Sequence, residues 1–507
     1  MAAIKSRWWA LAALALATLA IGLDATVLSV ALPTLARDLD ASTGDLQWFT
    51  NAYLLVMAAA LLPAGMLGDR FGRKRMLLGA LVLFGAASAA CAYAASTGQL
   101  IAARAFLGLG AAVIMPLTAA VLTILFTPEE RPRALTVWVT ANALGIPLGP
   151  LVGGWLLDNF WWGSVFLVNL PLVAVALLAV GALVPESRGD ERRRFDLAGV
   201  LLSTVGLVTL TYGVIEAGER GWDDARSLLM MVAGAVVLAA FALWQRRARQ
   251  PLVDLDLFRS RGFTWGALLA TVATFTMFGL LFTLPQFFGT VYGTDAFGTG
   301  LRLLPVIGGL MVGARVAGRL AERVGAKVVV AAGLAVMAAA LAAGATTGAD
   351  TGYGAVAVWV SAAGLGLGFA MPPAMNAALG ALEAGRSGVG SGLIQAMRQV
   401  GSAIGVAVLG TVLNAAYRDD LPAGTGDAVR KSAAGGVEVA SRTGSDTLLD
   451  AVRAAFVHGM DATLALSAAL AAIGAVLAVV FLPARPTPAP DAPRDGEPAP
   501  LPAESTV

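Results

Sequence analysis

The chain has 507 residues, 58% of them hydrophobic and only 13% charged, where an ordinary soluble domain carries about 25% charged residues. Its net charge of +2 is too small to call for nucleic acid, and its single cysteine, Cys91, rules out an internal disulfide and makes a cysteine-ligated metal site implausible. What remains is an all-α integral membrane protein whose main solvent is lipid.

Taken in chain order, apolar runs long enough to cross about 30 Å of hydrocarbon as helices predict fourteen spans: 8–32, 47–67, 76–96, 99–125, 133–157, 163–184, 197–217, 227–245, 263–289, 299–318, 327–346, 353–378, 391–416 and 460–483. The first run is too long for a signal-peptide core and lacks a small-residue cleavage site after it, so it is expected to stay as span 1. Residues 417–458 read as a long outer loop, in which the amphipathic stretch Leu448–Val457 is expected to form a short helix lying on the protein or at the interface. The Pro-rich tail, residues 485–507, offers little to bury and is expected to be disordered.

Basic residues cluster in alternate loops: Lys5 and Arg7, Arg70 to Arg75, Arg131 and Arg133, Arg188 to Arg194, Arg246 to Arg261, Arg319 to Lys327, then Arg386, Arg485 and Arg494. The positive-inside rule therefore places both termini in the cytoplasm of a bacterial cell. Arg104, Arg302, Arg315 and Arg398 fall within or at the ends of spans, where each needs a partner or water.

An internal repeat divides the chain. Gly65-Met66-Leu67-Gly68-Asp69-Arg70-Phe71-Gly72, after span 2, aligns without a gap with Gly318-Arg319-Leu320-Ala321-Glu322-Arg323-Val324-Gly325, after span 10. An offset of eight spans fits two six-helix bundles with a helix pair inserted between them. The expected organisation is a first bundle over 1–186, inserted spans 7 and 8 within 187–250, and a second bundle over 251–484. Duplicated halves are common in secondary transporters, whose substrate path lies at the repeat interface.

At this point the sequence closely resembles the major facilitator superfamily, specifically its fourteen-helix drug:proton antiporter branch. The stretch Gly65 to Arg75 resembles motif A, Arg104-x-x-x-Gly108-x-Gly110 resembles motif B, and Gly145-x-x-x-Gly149-Pro150-x-x-Gly153-Gly154 resembles the antiporter motif C. Leu23-Asp24-x-Thr26-Val27, followed by Ala31-Leu32-Pro33, is similar to the span 1 motif of that branch. Phe160 to Phe166, with Asn169 and Pro171, looks like exporters of quaternary ammonium compounds and cationic dyes. The resemblance implies proton-coupled export by alternating access, with no cofactor beyond the proton gradient.

The residues carry expectations of their own. Asp24 lies in an apolar run, where a carboxylate costs about 2.5 to 3.5 kcal/mol on insertion scales, so it should avoid lipid and carry the coupling proton, contact a cationic substrate, or alternate between the two. The alternative is a buried acid satisfied by hydroxyls or a fixed arginine. Arg104 should point into the bundle, and the resemblance makes it a coupling residue. Gly145, Gly149 and Gly153 recur every fourth residue and give a flat face for a close helix; Pro147 and Pro150 should bend that helix. By resemblance this face, with Gly154, seals one end of the pathway and favours export.

In the motif A loop, Gly65, Asp69, Arg70, Gly72 and Arg73 suit a tight cytoplasmic turn, and the resemblance adds gating, with Asp69 at a helix N-terminus of the other half. Asn51, Tyr53, Asn142, Phe282 and Gln286 are candidates for the cavity wall, with aromatic faces suited to flat cations. No Walker loop, HExxH or catalytic carboxylate pair points to an enzyme or to ATP. A single acid in an apolar cavity favours lipophilic cations over sugars or amino acids. A dedicated exporter of one natural product on the same fold is the alternative, and a monomer in lipid suffices for either.

Overall fold

The computed structural model describes residues 2–127, 129–188, 196–248, 251–382 and 387–483. The expected tail, Arg192 to Arg194 and Arg386 lie outside the described residues. All regular structure among the described residues is helical: α1 (Ala2–Asp38), α2 (Thr43–Phe71), α3 (Arg73–Ala92), α4 (Thr97–Leu125), α5 (Arg131–Asn159), α6 (Ser164–Leu167), α7 (Asn169–Leu183), α8 (Leu197–Arg220), α9 (Ala225–Arg247), α10 (Arg261–Thr290), α11 (Ala296–Val324), α12 (Ala326–Gly344), α13 (Tyr353–Gly380), α14 (Ser387–Asp420), α15 (Asp427–Lys431), α16 (Ala433–Thr443) and α17 (Asp446–Phe481). A short 3-10 turn, Leu255–Arg259, precedes α10. Fourteen of the helical segments are long and apolar enough to cross a membrane, α6 and α7 together counting as one. Since the crossings are even in number, α1 begins and α17 ends on the same side, called here the terminus end; the opposite side is the far end.

The sequence places the helix starts through side chains that satisfy exposed backbone N–H groups. Ser42 and Asp45 form a reciprocal capping box at α2. Ser96, Asp196, Asp224, Ser260, Asp295 and Ser445 cap α4, α8, α9, α10, α11 and α17 through their side chains. The two copies of the repeat end alike. Gly72 and Gly325 are the sole residues between α2 and α3 and between α11 and α12, at φ of 107° and 86°, where a residue with a Cβ is strained. The glycine at the end of each repeat is thus what lets two long helices join through one residue.

Helices α1 to α7 pack among themselves, with α1 against α5 and α7 and α2 against α4; α10 to α14 pack with α17 in a second group. Helices α8 and α9 form a hairpin whose α8 lies against both α2 and α14. Thr411 donates to the Val214 carbonyl at 2.9 Å and Asn414 to that of Gly218 at 3.0 Å, fixing α8 to α14. At the far end the two groups share one apolar core, in which Leu28, Leu32 and Leu35 of α1 join Leu284, Phe287 and Phe288 of α10.

The long-loop expectation needs correction. Helix α14 runs on to Asp420, α15 and α16 fill the middle, and Leu448–Val457 belongs to α17, continuous with the last span. The stretch does not lie flat as a separate helix, because Val452, Ala455 and Phe456 are buried as the first turns of α17 pack into the far-end core.

Candidate functional site

Asp24 of α1 and Arg104 of α4 form an ion pair with Nη1 to Oδ2 at 2.7 Å, and both side chains are withdrawn from solvent, at 0% and 1% exposure. Several groups hold the pair, although the Tyr53 hydroxyl and the Asn169 amide oxygen beside it are buried without a hydrogen-bond partner among the described residues. The Arg104 Nε donates to the Phe49 carbonyl at 2.9 Å, and the guanidinium lies 4.5 Å from the centre of the Tyr53 ring, within cation–π range. Asp24 Oδ1 accepts from the Asn169 amide at 3.2 Å; that amide also reaches Ser88 Oγ at 3.1 Å, and Ser88 donates to the Phe166 carbonyl at 2.7 Å. Five helices and one short turn therefore converge on one carboxylate.

Such a pair is held because removing either member strands the other charge, at a cost of about 3–5 kcal/mol. The sequence located Asp24 and Arg104 but not Ser88 or Asn169. Asn169 stood within the stretch resembling quaternary ammonium exporters, a signal that marked it without giving it a partner.

Beside the pair lies a cavity of about 160 Å³ between the two helix groups. Gly22, Ala25 and Thr26 of α1 line it together with Tyr53, Asn142 and Phe278. Its opposite wall carries Gln395, Arg398 and Gln399 of α14, and four methionines, Met57, Met115, Met277 and Met371, complete it. Tyr53 stands at the border, facing the cavity and also the guanidinium of Arg104. Asp24 is absent from the wall, so a ligand in this cavity does not touch it in this conformation. In this conformation the partner of Asp24 is the fixed arginine, the alternative weighed for a buried acid.

Tyr53 and Asn142 are on the wall; Asn51, Phe282 and Gln286 are buried elsewhere. Phe282 lies one helical turn beyond Phe278 toward the far end, where the groups have closed on each other, and it packs in that core. Gln286 spends its amide on the carbonyl of Phe282, one turn back in its own helix, at 2.8 Å.

The glycine face of α5 meets α1. A Cβ on Gly145 would lie 2.5 Å from the Leu23 nitrogen, one on Gly149 would overlap Thr26 Oγ1, and one on Gly153 would lie 2.5 Å from Val27 Cγ2. The contact is reinforced by Thr26, whose hydroxyl donates to the Gly145 carbonyl at 3.1 Å. Pro147 and Pro150 sit within α5, which stays helical through both. Gly154 turns the other way, toward α11: a Cβ there would lie 2.6 Å from the Phe297 Cα. One turn further, Asp158 accepts the N–H groups of Ala296 and Phe297 at 3.1 and 2.9 Å, capping α11 from the other half.

At the terminus end the motif A loop shows no such crossing among the described residues. Asp69 pairs with Arg73 on its own side at 2.8 Å, and Arg70 lies over the Phe71 ring. No described residue lies within 4 Å of a Cβ placed on Gly65. Among the described residues Asp69 has its partner on its own side, in a conformation sealed at the far end by α5 and α11.

Residues 14–406 match the Major Facilitator Superfamily. The chain belongs to that superfamily. It is 34% identical over 486 residues to the multidrug efflux pump LfrA of Mycolicibacterium smegmatis, covering 94% of this chain and 96% of that one. It is 31% identical over 496 residues to the tetracenomycin C resistance and export protein of Streptomyces glaucescens, covering 94% and 92%. Among solved structures, a bacterial homologue of the human lysosomal transporter Spinster, in an inward-facing and unoccupied conformation, superposes with a TM-score of 0.66 at 20% identity, covering 96% of this chain and 99% of that one. The fold is that of a major facilitator transporter, and its relatives are drug-resistance and export proteins.

Proposed function

We propose that this chain exports lipophilic small molecules across the bacterial cytoplasmic membrane in exchange for protons, as a monomer cycling between two conformations. The observation that carries this reading is the buried Asp24–Arg104 pair beside a ligand cavity, with Tyr53 in contact with both the guanidinium and the cavity. With both termini in the cytoplasm, as the basic loops favour, the far-end seal makes this the inward-facing state. Protonation of Asp24 would leave Arg104 as a lone buried charge, a cost large enough to drive rearrangement of α1 against α4. The return of the proton on the other side would restore the pair. Proton, substrate and lipid are the partners, and no cofactor is called for.

A dedicated exporter of one natural product would use the same parts. The relative named for tetracenomycin C export supports that second reading. In liposomes with an imposed pH gradient, purified protein is expected to accumulate a lipophilic dye on the trans side, with accumulation collapsing when an ionophore removes the gradient. Dye movement that ignores the gradient would refute proton coupling, and a protein that moves only one natural product would favour the second reading. The substrate's charge is selected by the cavity wall, because Asp24, the reason for expecting a cation, is not on it.

A further inference from the structure

Among the residues lining the cavity, Arg398 is the sole one that carries a charge. Its surroundings contrast with those of Arg104. Arg104 is neutralised by Asp24 and bonded at Nε. Arg398 has no carboxylate within 4 Å among the described residues; its Nη1 meets Gln395 Oε1 at 3.0 Å and the Met375 sulfur at 3.9 Å, and its Nε is buried with no partner. A guanidinium has five donors in a planar fork, so this one keeps donors unspent beside an open volume.

An uncompensated charge inside a membrane protein is costly and is expected to face a pathway rather than lipid. In a poorly polarisable wall its field repels a cation and attracts an anion over several ångströms. The fork can give two hydrogen bonds to a carboxylate, or direct its N–H groups at a single phenolate oxygen. The rest of the wall suits a flat hydrophobic body. Met57, Met115, Met277 and Met371 can re-pack around irregular shapes. They have to do so, because about 160 Å³ is below the 300 to 1,000 Å³ of a typical drug pocket. Phe278 and Tyr53 supply aromatic faces.

From this we infer that the cavity binds lipophilic aromatic anions, with Arg398 as the anion-binding group, in preference to lipophilic cations of the same size. The inference rests on the export reading for its purpose but on the cavity wall for its chemistry. The test separates the two by measuring binding and transport with two planar fluorescent dyes, resorufin as its phenolate at pH 8 and ethidium as a permanent cation.

In lipid nanodiscs, wild-type protein is expected to bind resorufin. Arg398→Gln should weaken that binding by about 10- to 100-fold, the range for losing a charged hydrogen bond. Arg398→Lys should restore most of it, which also shows that loss in the glutamine variant is not misfolding. Ethidium binding should be unchanged or tighter in Arg398→Gln. Tighter binding of ethidium than resorufin to wild type, equal resorufin binding by wild type and Arg398→Gln, or no binding of resorufin would each overturn the inference. Proteoliposome transport judges the other reading separately. Gradient-driven movement of ethidium but not resorufin would sink the anion site and keep the exporter, whereas Arg398-dependent resorufin binding without any driven movement would do the reverse.

Discussion

The contact between α1 and α5 makes a graded prediction that begins from a single added methyl group. At Gly149 a Cβ would overlap Thr26 Oγ1 and come within 3.0 Å of the Leu23 carbonyl oxygen. Thr26 can yield only by turning its hydroxyl away from Gly145, which gives up the 3.1 Å hydrogen bond between the helices. Overpacking of this kind costs about 1–3 kcal/mol, and the lost hydrogen bond adds about 0.5–1.5 kcal/mol. Gly149→Ala should therefore destabilise the protein by roughly 1.5–4.5 kcal/mol on these two terms.

Gly145→Ala should cost more, since the obstacle there is the backbone of Gly22 and Leu23, which no rotamer can clear. Gly153→Ala should cost less, since the obstacle is the end of the Val27 side chain. The assay is reversible unfolding in mixed detergent micelles, with Thr26→Ala as the second arm of a double-mutant cycle. Removing the hydroxyl first should absorb much of the Gly149→Ala cost, giving a coupling above about 1 kcal/mol. Additive effects, or a Gly149→Ala change within about 0.5 kcal/mol of wild type, would refute the close approach of these helices.

Other positions respond differently. Gly65→Ala meets no obstacle in this conformation, so it should be neutral or more stable by up to about 1 kcal/mol through the helical preference for alanine; a fall in transport with stability intact would place the need for Gly65 in the opposite conformation. Asp158→Ala leaves the Asp295 cap of α11 in place but removes the acceptor that the Ala296 and Phe297 N–H groups find on α5, and should weaken the far-end seal by about 1 kcal/mol. Distances between spin labels across the far end, measured by pulsed dipolar spectroscopy, should then show a larger open population, and an unchanged distribution would exclude a sealing role.

Asp196 joins the start of α8 to the end of α9. Burial pushes its carboxyl pKa up, but bonds from the Gly199 and Leu252 N–H groups, Trp244 and Gln245 outweigh this and hold it below the usual value. A lowered folded pKa means stability that is fully present above the unfolded value of about 3.9 and lost as pH falls through the folded one. Thermal melts of wild type should soften on acidification through that range more than those of Asp196→Asn; parallel curves would show that the carboxylate contributes nothing there.

Much of this architecture was legible before any coordinates, because in lipid the length of an apolar run maps almost directly onto a helix. The repeat was legible as well, down to the two glycines whose positive φ allows one-residue joints. The far ends of α14 and α17 were not. Asp446, Asp450, Arg453 and His458 break the apolar run but not the helix, so hydropathy marks where the membrane stops and not where the backbone does. The site was legible by residue and not by partner. Asp24 and Arg104 stood out as charges in apolar spans, while Ser88 and Asn169, which complete their shell, are ordinary polar residues on spans 3 and 6 and gain meaning only once those helices converge. Arg398 stood out in the same way as Arg104. What no sequence pattern could say was that one arginine has a carboxylate beside it and the other, among the described residues, does not.

Whether Asp24 carries the proton that drives export is decided by comparing uphill transport with passive exchange in Asp24→Asn. Wild type and variant, matched for folded protein because the change leaves Arg104 uncompensated, would be reconstituted in liposomes. Each would be assayed for gradient-driven accumulation and for exchange of labelled against unlabelled substrate without a gradient. Asp24→Asn should lose accumulation but retain exchange, since an amide cannot release a proton yet leaves the cavity wall intact. Accumulation at the wild-type level in Asp24→Asn would contradict this role and place the proton site elsewhere.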